Sequence, residues 1–210
     1  MYFDSRRSTV LATHGMVATS QPLAAMAGVR VLMDGGNAVD AAIASAAVLN
    51  VVEPVSTGVG GDMFALIWNN KEKSVRSING SGRAPMGATI DALKAEGHSM
   101  MPQKGVHSVT VPGAVHGWET LLESCGTMPL SHLLQPAIKY AEEGFPVSDI
   151  ICFQWYRMVE TLSRLPSGQE MLLNGKAPKH GEMMRIPTLG RTLRAVAEGG
   201  SEAFYKGDIA

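Results

Sequence analysis

The stretch from Ser56 to Pro85, STGVGGDMFALIWNNKEKSVRSINGSGRAP, sets most of what this chain can fold into. Met63 to Trp68 is a continuous apolar run of strand length. Such a run, without polar alternation, predicts a strand covered on both faces. Asn69-Asn70-Lys71-Glu72 reads as a turn, and Ser74 to Ile78 as the returning strand of a hairpin. Gly58-Val59-Gly60-Gly61 and Gly80-Ser81-Gly82 bracket the pair. Glycine lacks a Cβ and tolerates positive φ, so these turns let backbone approach something closely. That something is either a small molecule or a second packed element.

Helices flank this stretch. Pro22 starts one at its first position, with Leu23, Met26, Ala27 and Val31 on one face and Gly35-Gly36 as its end. Asn37 is the predicted N-cap of the next, with Asp40 in its first turn. Capping explains every polar and glycine position of GGNAVD, so it reads as a helix–helix corner rather than an anion site. The helix from Ala38 to Val51 is small and apolar all round, which predicts burial. Further helices are predicted over Ile90–Glu96, after Pro112-Gly113 (stripe Val115, Trp118, Leu121, Leu122, Cys125), from Gln135-Pro136 to Gly144, from an Asp149 cap through Phe153, Met158, Val159 and Leu162, and over Thr188–Glu198 with Gly199-Gly200 as its stop. Val10–Thr19 and His107–Val111 read as strands, and Ser167–Glu182 as loop. One hairpin and two short strands do not make a self-sufficient sheet under so many helices. Residues 1–210 therefore read as a single incomplete domain, the front of a larger one.

Composition excludes several function classes. The net charge is -1 with no like-charge block, which argues against nucleic-acid partners. No apolar stretch approaches the about 18 residues of a membrane span. Arg6-Arg7 is followed by no apolar segment of a secretory signal, and two separated cysteines make no disulfide framework, so a cytoplasmic setting is expected.

Nucleotide-binding fingerprints are absent: a G-x-G-x-x-G would need glycine where Met63 or Pro85 stands. The six histidines, at 14, 98, 107, 116, 132 and 180, form no i,i+4 pair, so neither metal nor cofactor is expected. Asp62, beside Gly60-Gly61, reads as a turn cap because no acid–base partner accompanies it. Arg83 is held between Gly80-Ser81-Gly82 and Ala84-Pro85. Its guanidinium either grips a carboxylate or ties loop carbonyls together.

Five segments, in order, resemble the gamma-glutamyltransferase (gamma-glutamyltranspeptidase) family: GMVATSQPLAAMAGVRVLMDGGNAVDAA from Gly15, GVGGDMFALIW from Gly58, VPGAVHGW from Val111, PAIKYAEEGFPV from Pro136 and TLGRTLRAVAEGGSEAFYKGDIA from Thr188. The resemblance implies an α+β, helix-rich N-terminal-nucleophile hydrolase fold, an αββα sandwich, incomplete here. It implies a precursor that cuts itself into large and small subunits. The nucleophile is then the first Thr of the small subunit, with its own α-amine as base. That site lies beyond Ala210, so no catalytic residue is assigned to this chain, and the remainder of the large subunit and the small subunit are its implied partners. The implied reaction cleaves or transfers a gamma-glutamyl or glutaryl-like acyl group from an amide donor such as glutathione to water or an amino acid. The alternative is a non-catalytic truncated or interaction chain that keeps the family's front half.

The family's glutamyl-binding pattern is Phe-Arg-Glu-Met-Ala-Pro. Anchored on Ala84-Pro85, its Arg position holds Ser81, and the nearest cation is Arg83. Along an extended strand that is a shift of about 6–7 Å on one face. Gly-Ser-Gly-Arg-Ala-Pro is similar to the gamma-glutamyltransferase-like and cephalosporin-acylase-like branch. Arg83 and Ser81 are the substrate-binding candidates.

Overall fold

A computed structural model describes residues 8–210; the Arg6-Arg7 pair lies outside them. The elements in order are α1 (Pro22–Met33), α2 (Ala38–Val52), β1 (Met63–Asn69), β2 (Ser74–Gly80), α3 (Ile90–Ala95), α4 (Ala114–Cys125), α5 (Leu130–Leu133), α6 (Gln135–Glu143), β3 (Phe145–Pro146), α7 (Asp149–Ser163), β4 (Met183–Met184) and α8 (Pro187–Tyr205). Two antiparallel pairs are present among the described residues, β1–β2 and the two-residue β3–β4. None of the described helices is long and apolar enough to cross a membrane.

The core is built on α2. Ala44, Ala47, Val48 and Val51 are fully buried along it. Its small side chains let α1 lie close: a Cβ added at Gly28 would sit 2.3 Å from Ser45 Oγ, and that hydroxyl donates to the Ala24 carbonyl at 3.0 Å. On α1 the buried face is Ala24, Ala27, Gly28 and Val31, while Met26 points outward. The expectation that Met26 lies inward fails: the buried face of α1 runs through Ala24, Ala27, Gly28 and Val31, and Met26 falls off it. α4, α6 and α8 close the other sides, with Trp118, Ile138 and Leu193 inward.

Asn37 and Asp40 form a capping box. Asn37 Oδ1 accepts from the N–H of Val39 at 2.8 Å and of Asp40 at 3.1 Å, and Asp40 Oδ2 accepts from the Asn37 N–H at 2.8 Å. The same carboxylate accepts from the Thr127 N–H at 2.9 Å, the Thr127 hydroxyl at 2.5 Å and the Met128 N–H at 3.2 Å. Asn37 Nδ2 donates to the Cys125 carbonyl at 2.7 Å. The corner thus ties the start of α2 to the end of α4, as a structural corner should.

Several expectations need correction. Residues 10–19 form no strand: among the described residues they find no partner, and Val10 and Leu11 are exposed. His107–Val111 is not a strand either. Its start closes a 3-10 turn, Val106–Ser108, and a single bond from the Val111 N–H to the Arg83 carbonyl, 2.9 Å, makes no ladder. β1 is covered on one face only. Met63, Ala65 and Ile67 pack on the core, whereas Phe64, Leu66 and Trp68 are exposed, because no second layer lies over the hairpin among the described residues. Ser148, not Asp149, is the N-cap position of α7, and Ile151 and Trp155 are its buried residues while Phe153 is exposed. The stop expected at Gly199-Gly200 holds: Gly200 (φ 61, ψ -154) is non-helical and separates the first helical part of α8 from a second one that follows it. The Glu119 carboxylate accepts from the Ser201 N–H at 3.3 Å, capping the resumed helix.

Burial raises the Asp40 pKa, but the Thr127 hydroxyl and the N–H groups of Asn37, Thr127 and Met128 outweigh it, so the carboxyl lies below its ordinary 3.8. A depressed folded pKa contributes stability that is present above the unfolded value and lost as pH falls through the folded one. Urea unfolding should show this contribution declining from about pH 4 downward. Asp40→Ala, which removes the acceptor of four part-buried hydrogen bonds, should cost roughly 1–3 kcal/mol at pH 7 and remove that acid dependence. A variant with unchanged stability would contradict the role given to this corner.

Candidate functional site

Two glycine turns far apart in sequence converge on Pro112-Gly113. The Gly61 carbonyl accepts from the N–H groups of both Gly113 and Ala114 at 3.1 Å, capping α4 with backbone where no side chain does. From the other side, the Thr110 hydroxyl donates to the Ser81 carbonyl at 3.0 Å, and the Val111 N–H donates to the Arg83 carbonyl at 2.9 Å. Glycine is required at this contact. A Cβ at Gly113 would lie 2.1 Å from the Gly80 carbonyl oxygen, and one at Gly82 would lie 1.8 Å from that of Val111.

Gly82 has φ 78, a left-handed conformation. The segment Ser81–Arg83 is therefore not an extended strand, and Arg83 is not simply displaced two residues along the face of Ser81. The turn re-aims it. Arg83 is exposed, has no ion pair or side-chain hydrogen bond among the described residues, and lines a cleft of about 460 Å³ with Asn79, Pro112, His116 and Tyr205. Ser81 does not line this cleft. It is half-buried, with its N–H on Asn79 Oδ1 at 3.0 Å and its carbonyl on Thr110. Asp62 is exposed on the other side of the Gly61 turn, in a cleft of about 730 Å³ shared with Ser56, Asn50 and Thr110.

Tyr205 is the residue that sequence reasoning missed. It lies near the end of a chain segment that reads as apolar groups leading nowhere. In the fold it turns back and its ring meets Phe204 edge-on, 4.9 Å between centroids. Its hydroxyl donates to the Pro112 carbonyl at 2.6 Å and accepts from the His116 N–H at 3.2 Å. Burial holds the phenol above its ordinary 10.0, so the donor proton stays in place. The partners are 89 and 93 residues away, a separation that no local spacing can signal.

The histidines that form no sequence motif behave differently. Glu96, His98 and His107 come together, with one potential ligand atom from each lying within 4.8 Å of the other two. The expectation of scattered histidines does not hold at this point. The approach depends on two loop turns closing, which spacing alone does not encode.

With this geometry in place, the comparisons define the class. The chain superimposes on a cephalosporin acylase from Bacillus halodurans (TM-score 0.91, 45% identity, 99% of this chain and 40% of that one). It also superimposes on a Helicobacter pylori gamma-glutamyltranspeptidase (TM-score 0.90, 30% identity, 97% of this chain and 59% of that one). The fold is the helix-rich α+β fold of N-terminal-nucleophile hydrolases. The gamma-glutamyltranspeptidase profile matches residues 24–210, and the chain belongs to that family. A curated relative, the glutathione hydrolase-like YwrD proenzyme of Bacillus subtilis (strain 168), is 42% identical over 204 residues, which are 96% of this chain and 38% of that protein. The chain thus spans about two-fifths of the length of the first curated relatives it matches.

The glycine contact gives a direct test. Gly113→Ala should cost about 2–4 kcal/mol, because backbone must move to admit the methyl. Gly60→Ala, where nothing lies within 4 Å of the added Cβ, should change stability by less than about 1 kcal/mol. Chemical unfolding of both variants measures the difference, and equal effects would contradict the convergence described.

Proposed function

We propose that this chain supplies the donor-binding wall of a gamma-glutamyltransferase-like amide hydrolase or acyltransferase, with Arg83 gripping a carboxylate of the acyl donor. The observation that carries this is Arg83 itself: a cation without an ion pair among the described residues, on a turn pinned by backbone contacts, at the mouth of a cleft. A guanidinium suits bidentate capture of a carboxylate, and a pinned backbone reduces the ordering required on binding. The cleft volume falls within the range of small-molecule sites, about 300–1,000 Å³. The donor class is a gamma-glutamyl or related dicarboxylic monoamide, such as glutathione or a glutaryl amide. The similarity to a glutathione hydrolase-like proenzyme and to a cephalosporin acylase supports an amide donor.

Residues 1–210 form one incomplete domain in this proposal. The nucleophilic Thr comes from the small subunit, and the rest of the large subunit and the small subunit cover the exposed Phe64, Leu66 and Trp68 face. Ser81 holds the turn from behind through its carbonyl rather than supplying charge. Water or an amino acid then takes the acyl group. The setting is cytoplasmic, without a nucleic-acid or membrane partner.

In the full-length protein, Arg83→Ala should raise KM for a gamma-glutamyl or glutaryl anilide more than about tenfold, about 1.4 kcal/mol or more, with a smaller effect on kcat. Arg83→Lys should recover only part of the loss, since an ammonium cannot form the paired contact. An unchanged KM would return Arg83 to a structural role. Failure of the full-length precursor to split into two chains, with no anilide hydrolysis, would favour the non-catalytic alternative.

A further inference from the structure

Away from the Arg83 cleft, two turns bring a carboxylate and two imidazoles together. The first turn ends α3. The Gly97 N–H donates to the Lys94 carbonyl and the His98 N–H to the Leu93 carbonyl, both at 3.0 Å, with Gly97 left-handed at φ 86. This closure fixes the backbone carrying Glu96 and His98. The second turn is the 3-10 turn Val106–Ser108, opened by Gly105 at φ 96 and latched by the Ser108 hydroxyl on the Gly105 carbonyl at 2.9 Å. It fixes the backbone carrying His107.

His107 Nε2 lies 2.8 Å from Glu96 Oε2, and the His98 and His107 rings meet edge-on with centroids 5.5 Å apart. An ion pair explains Glu96 with His107. It does not explain why the second imidazole joins them, with one potential ligand atom of each residue within 4.8 Å of the other two. Two imidazoles and one carboxylate are a ligand set for zinc and neighbouring first-row divalent metals. Around a tetrahedral ion with bonds of about 2.0–2.1 Å the donor atoms would lie roughly 3.3 Å apart. The Glu96–His107 pair is already within that spacing, and the three chosen donor atoms lie within 4.8 Å of one another. Both imidazoles are half-buried and Glu96 is exposed, which leaves the fourth position open to water.

We propose that Glu96, His98 and His107 hold one zinc-class divalent cation. The ion staples the loop from 97 to 107, whose continuation, Thr110 and Val111, makes the bonds that fix Ser81 and Arg83. Three protein ligands from two turns, with water as the fourth, would close a short loop whose continuation reaches the Ser81–Arg83 turn.

The test is zinc competition against a chromophoric chelator with the full-length protein, read for stoichiometry and affinity. The parent should bind one zinc per chain more than the double variant His98→Ala/His107→Ala. Single removal of a ligand, in His107→Ala or Glu96→Gln, should weaken that site at least about tenfold, since even residues supporting a ligand contribute that much. Cobalt in place of zinc should give the absorption of a four- or five-coordinate ion in the parent and lose it in the double variant. Zinc should also slow proteolysis within residues 97–107 of the parent but not of the double variant. Circular dichroism confirms that the variants fold. Equal zinc stoichiometry and affinity in parent and folded double variant, or no zinc bound by the parent, would overturn the proposal.

Discussion

The Asp40 carboxylate holds the helical half together. It is fully buried, and a buried carboxylate is tolerated only where several donors replace its lost water. Here three come from backbone, the N–H groups of Asn37, Thr127 and Met128, and the Thr127 side chain adds a fourth. The consequence is topological. Local capping alone would fix only the start of α2, whereas the bonds to Thr127 and Met128 fix where α4 ends and α5 begins. α4 in turn presents Pro112-Gly113 at its other end, so the acid at position 40 helps set the far end of the same helix.

From α4 the candidate site follows by close packing. A Cβ at Gly117 would lie 2.8 Å from the Met63 side chain, so α4 lies directly against β1. Gly61, Gly80, Gly82 and Gly113 then bring three backbone segments to hydrogen-bonding distance, and Tyr205 locks the carbonyl of Pro112 from outside. A backbone-built wall is rigid, yet it carries no charge of its own. Arg83 is the cation it displays. The glycine turns pack against other backbone, and that packed backbone carries the Arg83 guanidinium at the surface.

Much of this was legible in the sequence where the signal is local. The Asn37–Asp40 box, the alanine helix, the hairpin and the Gly144 cap all follow from neighbouring residues, and the five ordered segments carried the family. The failures are non-local. Residues 10–19 and 107–111 have strand-like composition, but a strand exists only with a partner, and none is offered among the described residues. Met63 to Trp68 has the apolarity of a doubly covered strand, yet one face is open, since coverage depends on what else is present. Tyr205, His116 and the Glu96–His98–His107 group meet through turns, and no periodicity announces such meetings.

Ser81 and Arg83 show how a two-residue departure from a family pattern should be weighed. On a flat strand, residues two apart face the same way, and a cation moved by that step would miss its target by about 6–7 Å. The objection assumes extended backbone. Gly82 at φ 78 removes the assumption, and the bonds from Thr110 and Val111 hold Ser81 and Arg83 in the bent form. Inserting the glycine before the cation changes the direction of the side chain as well as its position. Arg83 therefore lines a cleft that Ser81 does not, on a turn that accepts no side chain at position 82. What the pattern Gly-Ser-Gly-Arg combines is a left-handed hinge at Gly82 and an exposed guanidinium at Arg83.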